Sequence, residues 1–318
     1  MHLFSYVIIF ILLVANTSVF GAANTPSLSN PNLTKVTENI YALIGDMDVP
    51  NETNGGFICN SVFIITQQGV VVIDPGGSLQ VGEMILKQIR KLTSKPITHV
   101  FNTHHHADHW MGNQAFSNLS PAPKIMGQYY MKDKAEEIGE RWLGILEKMT
   151  KGKNQGTQVV LPSEVLEGNE KMQIGGLTFQ FYHPAHAHTQ GDLAVYIPEE
   201  KVLIAGDILF YLRTPGFQDA SPSGNAQALE SLNKLEFNQV IPGHGPVTDK
   251  SGIKYMLEYV QLLHNEVKKY YEQGLSDFEM KERIDVGKYR QMSGFEGRFG
   301  INVNRMFLEI EAQEFAED

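Results

Sequence analysis

The apolar positions of this chain change their period several times. Residues 4–14 form an almost unbroken apolar run, too short to span a bilayer comfortably as a helix. Residues 24–32, rich in Ser, Asn and Pro, read as a linker. From Leu33 to Asp74 short apolar runs alternate with turn residues and predict strands, with a loop over residues 46–56 around Pro50, Asn54, Gly55 and Gly56. Val81, Met84, Ile85 and Ile89 recur at helical spacing and predict a helix over residues 80–91. Residues 97–101 read as a buried strand. A helix starts at residues 112–116, and a longer one over residues 132–150 carries Ile138, Trp142, Leu143 and Leu146. Strands resume from residue 158 to 204, residues 226–235 are helical, and Val240 begins the last strand of the core. From Lys250 onward, Met256, Tyr259, Val260, Leu263 and Val267 share one helical face, so residues 250–318 predict a helical extension packed on the main domain. Tyr259, Tyr270 and Tyr271 read as core of that extension.

Polar chemistry gathers where the apolar runs end. Thr103-His104-His105-His106-Ala107-Asp108-His109 follows directly on the strand of residues 97–101, with four histidines and an aspartate within six consecutive residues. Imidazole and carboxylate are donors that suit zinc and related divalent ions. His104 and His106 stand two apart, so an extended backbone turns both to one side. Asp108 and His109 follow on a turn and reach a second position close by. The pattern reads as half of a two-metal site. Downstream come His188-Thr189-Gln190-Gly191-Asp192, Ala205-Gly206-Asp207 and Pro242-Gly243-His244-Gly245. Each follows a short apolar run (residues 177–182, 201–204 and 240–241), so three more strand ends present a His, an Asp and a His.

With Val70-Val71-Val72-Ile73-Asp74 ahead of them, these motifs resemble, in their order from Leu33 to Val247, the metallo-β-lactamase superfamily. The resemblance implies an α/β (α+β) fold, a four-layer αββα sandwich over residues 33–249, followed by the helical extension of residues 250–318. It also implies two Zn²⁺ per chain, with iron or manganese as alternative ions. His104, His106 and His188 would hold the first metal, Asp108, His109 and His244 the second, and Asp207 would bridge both. Three neutral imidazoles leave an open position on a tetrahedral zinc, as catalytic sites require. A hydroxide bridging the metals would attack an ester, thioester, lactone or amide-type carbonyl, with Asp108 as the catalytic residue that orients it. Asp74, Thr103 and Thr189 are expected to support the ligands from behind. Arg213 and His186 are candidates for substrate binding, Arg213 by pairing with a substrate carboxylate. His105 lies between two ligands and should point the other way.

Aspartate at position 207 is the pattern of thioesterases, lactonases and sulfatases of this superfamily, where many zinc β-lactamases carry Cys or Ser. A class B-like β-lactamase is therefore the rival enzyme reading. A catalytically silent metal-binding protein is the rival of another class, but it would require a ligand to be missing. Some relatives hold a single iron on the same first three histidines, whereas the complete ligand set here argues for two metals. The chain also resembles exported metallo-hydrolases of the quinoprotein-associated type.

Composition narrows the partners. The chain has 318 residues, 42% hydrophobic, and a formal net charge of −10. That balance and the lack of any basic run argue against nucleic acid, which leaves a small-molecule substrate. Residues 1–23 read as a signal peptide, with residues 4–14 as its apolar core and Gly21, Ala22 and Ala23 near the cleavage site, although the start of the chain has no Lys or Arg. Export to the periplasm or medium follows, with no stable membrane partner after cleavage, and a retained N-terminal anchor is the alternative. Cys59 is the sole cysteine, so no intramolecular disulfide can form. It lies in an apolar run and reads as a buried small hydrophobe rather than a ligand.

Overall fold

The computed structural model describes residue 28 and residues 31–317. The expected signal segment, residues 1–23, lies outside the described residues. One sheet runs in chain order through β1 (Asn32–Lys35), β2 (Ile40–Ile44), β3 (Ser61–Ile65), β4 (Val70–Ile73), β5 (Ile97–Asn102), β6 (Lys124–Gln128) and β7 (Glu164–Leu166). Its first four strands are antiparallel, and β4 to β7 are parallel. The second sheet holds β8 (Lys171–Ile174), β9 (Leu177–Tyr182), β10 (Ala194–Ile197), β11 (Val202–Phe210) and β12 (Gln239–His244), with only β11 and β12 parallel. The helices are α1 (Leu79–Leu92), α2 (Ala107–Trp110), α3 (Asn113–Ser117), α4 (Tyr129–Met149), α5 (Pro222–Leu232), α6 (Lys250–Tyr271), α7 (Asp277–Lys281) and α8 (Phe295–Glu317).

The layers follow from which face each residue buries. In β4, Val71 and Ile73 join the core between the two sheets, and Val70 and Val72 pack under α1 and α3. A strand buried on both faces reads as a continuous apolar run, which is why residues 70–73 show no alternation. Phe101, Phe179, Phe181 and Ile204 fill the space between the sheets. On the far side of the second sheet, Leu203 and Val240 pack against Ile253, Met256, Val260 and Leu263 of α6 and Val303 and Met306 of α8. The result is helices, sheet, sheet, helices, the αββα arrangement the motifs implied.

Several elements differ from the sequence expectation: β6 (Lys124–Gln128) falls where none was expected, α4 starts at Tyr129 rather than residue 132, and strands resume at Glu164 rather than residue 158. Two further differences bear on the site. α5 starts at Pro222 rather than residue 226, because Ser221 caps it by accepting from Gly224 N and Pro222 suits the first turn. β11 does not stop at residue 204 but continues through Asp207 to Phe210. Its register shifts on either side of Gly206, whose φ is +52°. A bulge of this kind re-aims the next side chain without ending the strand. Asp207 is thus offered from within a strand, not beyond it. Among the described residues no helix is long and apolar enough to cross a membrane.

Candidate metal centre

All the expected ligands converge at the C-terminal ends of β5, β11 and β12. β5 delivers Thr103 and His104, and the chain then turns into α2, which places Asp108 in its first turn and His109 behind it. His188 arrives on the loop between β9 and β10, and His244 is the last residue of β12. His104, His106, His188 and Asp207 bring one donor atom each within 4.8 Å of one another, and so do Asp108, His109 and His244.

In the first group, His104 Nε2 lies 3.1 Å and His188 Nε2 2.8 Å from His106 Nδ1. Asp207 Oδ2 is 3.7 Å from His104 Nε2 and 3.3 Å from His188 Nε2. In the second group, Asp108 Oδ2 is 3.5 Å from His109 Nε2 and 3.4 Å from His244 Nε2. Asp207 joins this group as well, at 3.3 Å from both His109 Nε2 and His244 Nε2. Four donors at about 2.0–2.2 Å from a tetrahedral ion lie about 3.3–3.6 Å apart. The 3.3–3.5 Å separations of the second group, Asp207 included, match that spacing, whereas His106 Nδ1 lies closer than that to His104 and His188, at 3.1 and 2.8 Å.

Outer hydrogen bonds fix which nitrogen faces inward in four of the five rings, His188 Nδ1 being buried without a partner. His104 Nδ1 contacts Thr103 Oγ1 at 3.0 Å, and that hydroxyl donates to Asp74 Oδ2 at 2.7 Å. His104 Nδ1 therefore carries the hydrogen, and Nε2 presents its lone pair. His106 Nε2 donates to Asp219 Oδ2 at 3.0 Å, which leaves Nδ1 as the inward lone pair. Two lone pairs facing each other repel unless a cation lies between them. His109 Nδ1 donates to Asp74 Oδ2 at 2.8 Å, and His244 Nδ1 to Ile58 O at 2.8 Å, so both turn Nε2 inward. His109 Nε2 and Asp207 Oδ1 are buried with no hydrogen-bond partner, as expected of atoms placed for a metal. The donor set fits two divalent ions on these grounds.

Charge agrees. Burial, reinforced by the charge of His109, holds His104 well below the ordinary histidine value, and burial puts His188 at about 3. Both are neutral, the ligand form. Burial opposes protonation of His109 too, but Asp207, Asp108 and Asp74 outweigh it and push that ring up to about 10. Burial likewise works against ionising Asp207, yet His244, His109 and His104 hold its carboxyl well below the usual range. The centre gathers the carboxylates of Asp74, Asp108 and Asp207 around His109, and bound metal ions would take over the balance of charge that its proton supplies.

Asp74 has a left-handed φ of 54°, and its one carboxylate accepts Thr103 N–H, Thr103 Oγ1–H and His109 Nδ1–H. Thr189 does not touch a ligand ring. Its N–H and hydroxyl both donate to Asp192, bracing the loop that carries His188. His105 turns away into a separate cavity with Tyr130 and Lys134.

Two substrate candidates take other roles. His186 contacts the backbone carbonyl of Asp219 at 2.8 Å and lines cavities that exclude the metal ligands. It steadies the residue that orients His106. Arg213 is 1% exposed and donates to Ile58 O at 3.4 Å and Asp48 O at 3.1 Å, with its Nη1 also against His244 Nδ1. Its two Nη atoms hold loop 46–56 beside His244, and its Nε is buried without a partner.

Sequence reasoning missed several supports. Asp219 lies 113 positions from His106, which hides their pairing. Asn60 clamps the His244 turn by donating to Pro242 O at 2.8 Å and Gly245 O at 2.7 Å. Cys59, buried as expected, also donates its thiol to Asp108 O at 2.8 Å.

The cavity beside the ligands measures about 360 Å³. Asp108, His106, His188, Asp207 and His244 form its floor, Trp142, Ile145, Leu146 and Met149 of α4 one wall, and Arg213 and Arg298 part of its rim. Arg298 belongs to α8, which nothing in the sequence had tied to the metal motifs.

The metallo-beta-lactamase superfamily profile matches residues 54–244, more than half of the chain. This chain belongs to that superfamily, whose members are generally hydrolases. It is 23% identical over 260 residues to a linear primary-alkylsulfatase of Pseudomonas sp. (strain ATCC 19151), a match that covers 69% of this chain and 48% of that one. The chain thus spans about half the length of that relative. It is 25% identical over 235 residues to a metallo-beta-lactamase type 2 of Elizabethkingia meningoseptica, covering 71% of this chain and 83% of that enzyme. The solved structure of a stereoselective inverting sec-alkylsulfatase from Pseudomonas sp. superposes with a TM-score of 0.68 at 17% identity, over 88% of this chain and 50% of that chain. That coverage exceeds what residues 1–249 could supply, so the likeness of fold runs into the C-terminal helices.

Proposed function

We propose that this chain is an exported zinc hydrolase with two metal ions, acting on a small ester, thioester, lactone or amide. The observation that carries this reading is the pair of donor groups sharing Asp207, with the rings of His104, His106, His109 and His244 each turned by an outer hydrogen bond so that a lone pair faces inward. When bound, two such ions polarise a carbonyl and make water acidic enough to ionise near neutral pH.

The chain's own residues do the rest. Asp108 lies at the cavity floor with its side chain 16% exposed. Burial raises the cost of its charge, but His109 and His244 prevail and hold the carboxyl below its ordinary value. An anionic Asp108 can accept a hydrogen bond from the attacking water and so orient it. Asp74, Asp219 and the Ile58 carbonyl keep the rings in their tautomers. Trp142, Ile145, Leu146 and Met149 exclude water over one side of the reacting group. Export is supported by the apolar run of residues 4–14 followed by Gly21, Ala22 and Ala23.

Two substrate alternatives have support in the relatives. The likeness to the Elizabethkingia enzyme favours a β-lactam, and the fold likeness that includes the C-terminal helices favours a sulfate ester. The test is turnover of a panel: an aryl ester, a thioester, a lactone, a β-lactam and a primary alkyl sulfate. Cleavage of a carbonyl member, lost by about two orders of magnitude or more in Asp108→Ala, is expected. Cleavage of none by the zinc-loaded protein, or an Asp108→Ala variant near wild-type turnover, would overturn the reading.

A further inference from the structure

Two guanidinium groups reach the metal cavity, and they are not equivalent. Arg213 is fully buried and bound by the Ile58 and Asp48 carbonyls. Arg298, from the first turn of α8, is only partly buried and opens onto the cavity. Among the described residues no hydrogen bond or ion pair holds its side chain, and Asp108, Asp207 and Asp48 act on it only through space. Gly294, with a φ of +71°, lies under the guanidinium, where a Cβ would collide with Nη1. A side chain at position 294 would therefore displace this guanidinium.

A partly desolvated cation without a partner is an expensive feature to keep. Of the three carboxylates that favour it here, Asp108 and Asp207 are those whose charge bound metal ions would offset, and Asp48 remains. With Asp108 and Asp207 engaged as ligands, Arg298 is the lining cation without a hydrogen-bonded partner among the described residues. Opposite the ligands the wall is apolar, formed by Trp142, Ile145, Leu146 and Met149. A ligand suited to this cavity has an apolar body, a group that reaches the metal floor and a separate anion at the rim.

We infer that Arg298 is the specificity-determining residue of the cavity, binding a carboxylate of the substrate remote from the scissile carbonyl. The C-terminal helices thereby complete the substrate site. The inference deepens the hydrolase reading and rests on it for the word substrate, but the anion site can be tested without turnover.

Binding is read first, by calorimetry on zinc-loaded protein, with 6-phenylhexanoate and the uncharged 6-phenylhexan-1-ol. The carboxylate should bind about 10- to 100-fold more weakly to Arg298→Met than to wild type, the worth of one charge-assisted pair. Arg298→Lys should recover part of that loss, and the alcohol should bind all three proteins alike. A carboxylate held by zinc instead of Arg298 would bind wild type and variants equally, which is one of the results that overturn the inference. Gly294→Ala, which pushes the guanidinium aside without removing its charge, should also weaken the carboxylate. Equal carboxylate binding by wild type and Arg298→Met would overturn the inference, as would an equal loss for the alcohol. Turnover is read second, with 4-nitrophenyl hydrogen adipate and 4-nitrophenyl hexanoate, which match in carbon count. Arg298→Met should raise KM about 10- to 100-fold for the adipate monoester alone, with kcat within about threefold. If neither ester is cleaved while carboxylate binding still depends on Arg298, the hydrolase reading fails and the anion site stands.

Discussion

Replacing Asp74 by Asn should remove the second metal and leave the first. In the native chain Asp74 Oδ1 accepts Thr103 N–H at 2.8 Å, while Oδ2 accepts the Thr103 hydroxyl at 2.7 Å and His109 Nδ1–H at 2.8 Å. Asn tolerates the left-handed backbone at this position and keeps one oxygen for the fixed Thr103 N–H. Its NH2 then faces the other two groups. The Thr103 hydroxyl can rotate to accept, so the chain of bonds behind His104 survives. His109 has no such freedom, because an N–H now confronts its Nδ1–H. The ring must give up its bond or change tautomer, and the second course puts the hydrogen on the Nε2 that faces Asp108 and Asp207. The loss is about one charge-assisted hydrogen bond, roughly 1.5–3 kcal/mol, or about a 10- to 150-fold fall in affinity for the second ion. Competition against a chromophoric chelator resolves the two affinities, and a melting curve checks that the fold persists. Native affinity at both sites, or equal weakening at both, would refute the assignment of Asp74 to the second group.

Other expectations follow from the same geometry. A Cβ at position 243 would land on Asp207 Oδ1, so Gly243→Ala should disrupt the shared ligand and lower metal content at both groups, as elemental analysis would show. His105→Ala should leave metal content unchanged, because that ring faces another cavity; a fall to one ion would mean the ligand face is misassigned. Metal binding should release protons. His109 sits near 10 in the metal-free protein, so it is protonated at pH 7 and must lose that proton to bind. Because its value is raised above the ordinary histidine value of about 6.5, its charge stabilises the metal-free fold below about pH 6.5, and this contribution fades as pH climbs through about 10. Affinity for the second ion should accordingly rise with pH between 7 and 10, and calorimetry in buffers of different ionisation heat should show about one proton released beyond any lost by water. A flat affinity profile would contradict the charge assigned to His109.

How much could be read beforehand depends on where the information sits in the chain. His104, His106, Asp108 and His109 are adjacent in sequence and follow an apolar strand, so their chemistry and placement were both legible. His188, Asp207 and His244 were legible as residues, but not how Asp207 is presented, because the bulge at Gly206 reflects strand pairing. Arg213 shows the limit most clearly. Its charge suggested a partner in solution, but burial against two backbone carbonyls cannot be seen in a residue letter. Asp219, Asn60 and Arg298 each act across a long stretch of chain on a group they do not resemble, and only the folded arrangement brings them there.

The most direct test of the central claim is a zinc titration of metal-free protein, with bound metal and hydrolysis of the responsive panel substrate followed together. The account predicts that turnover rises until about two zinc ions are bound per chain and then levels off. Full activity at one equivalent, or a protein that holds a single iron and hydrolyses nothing, would contradict it.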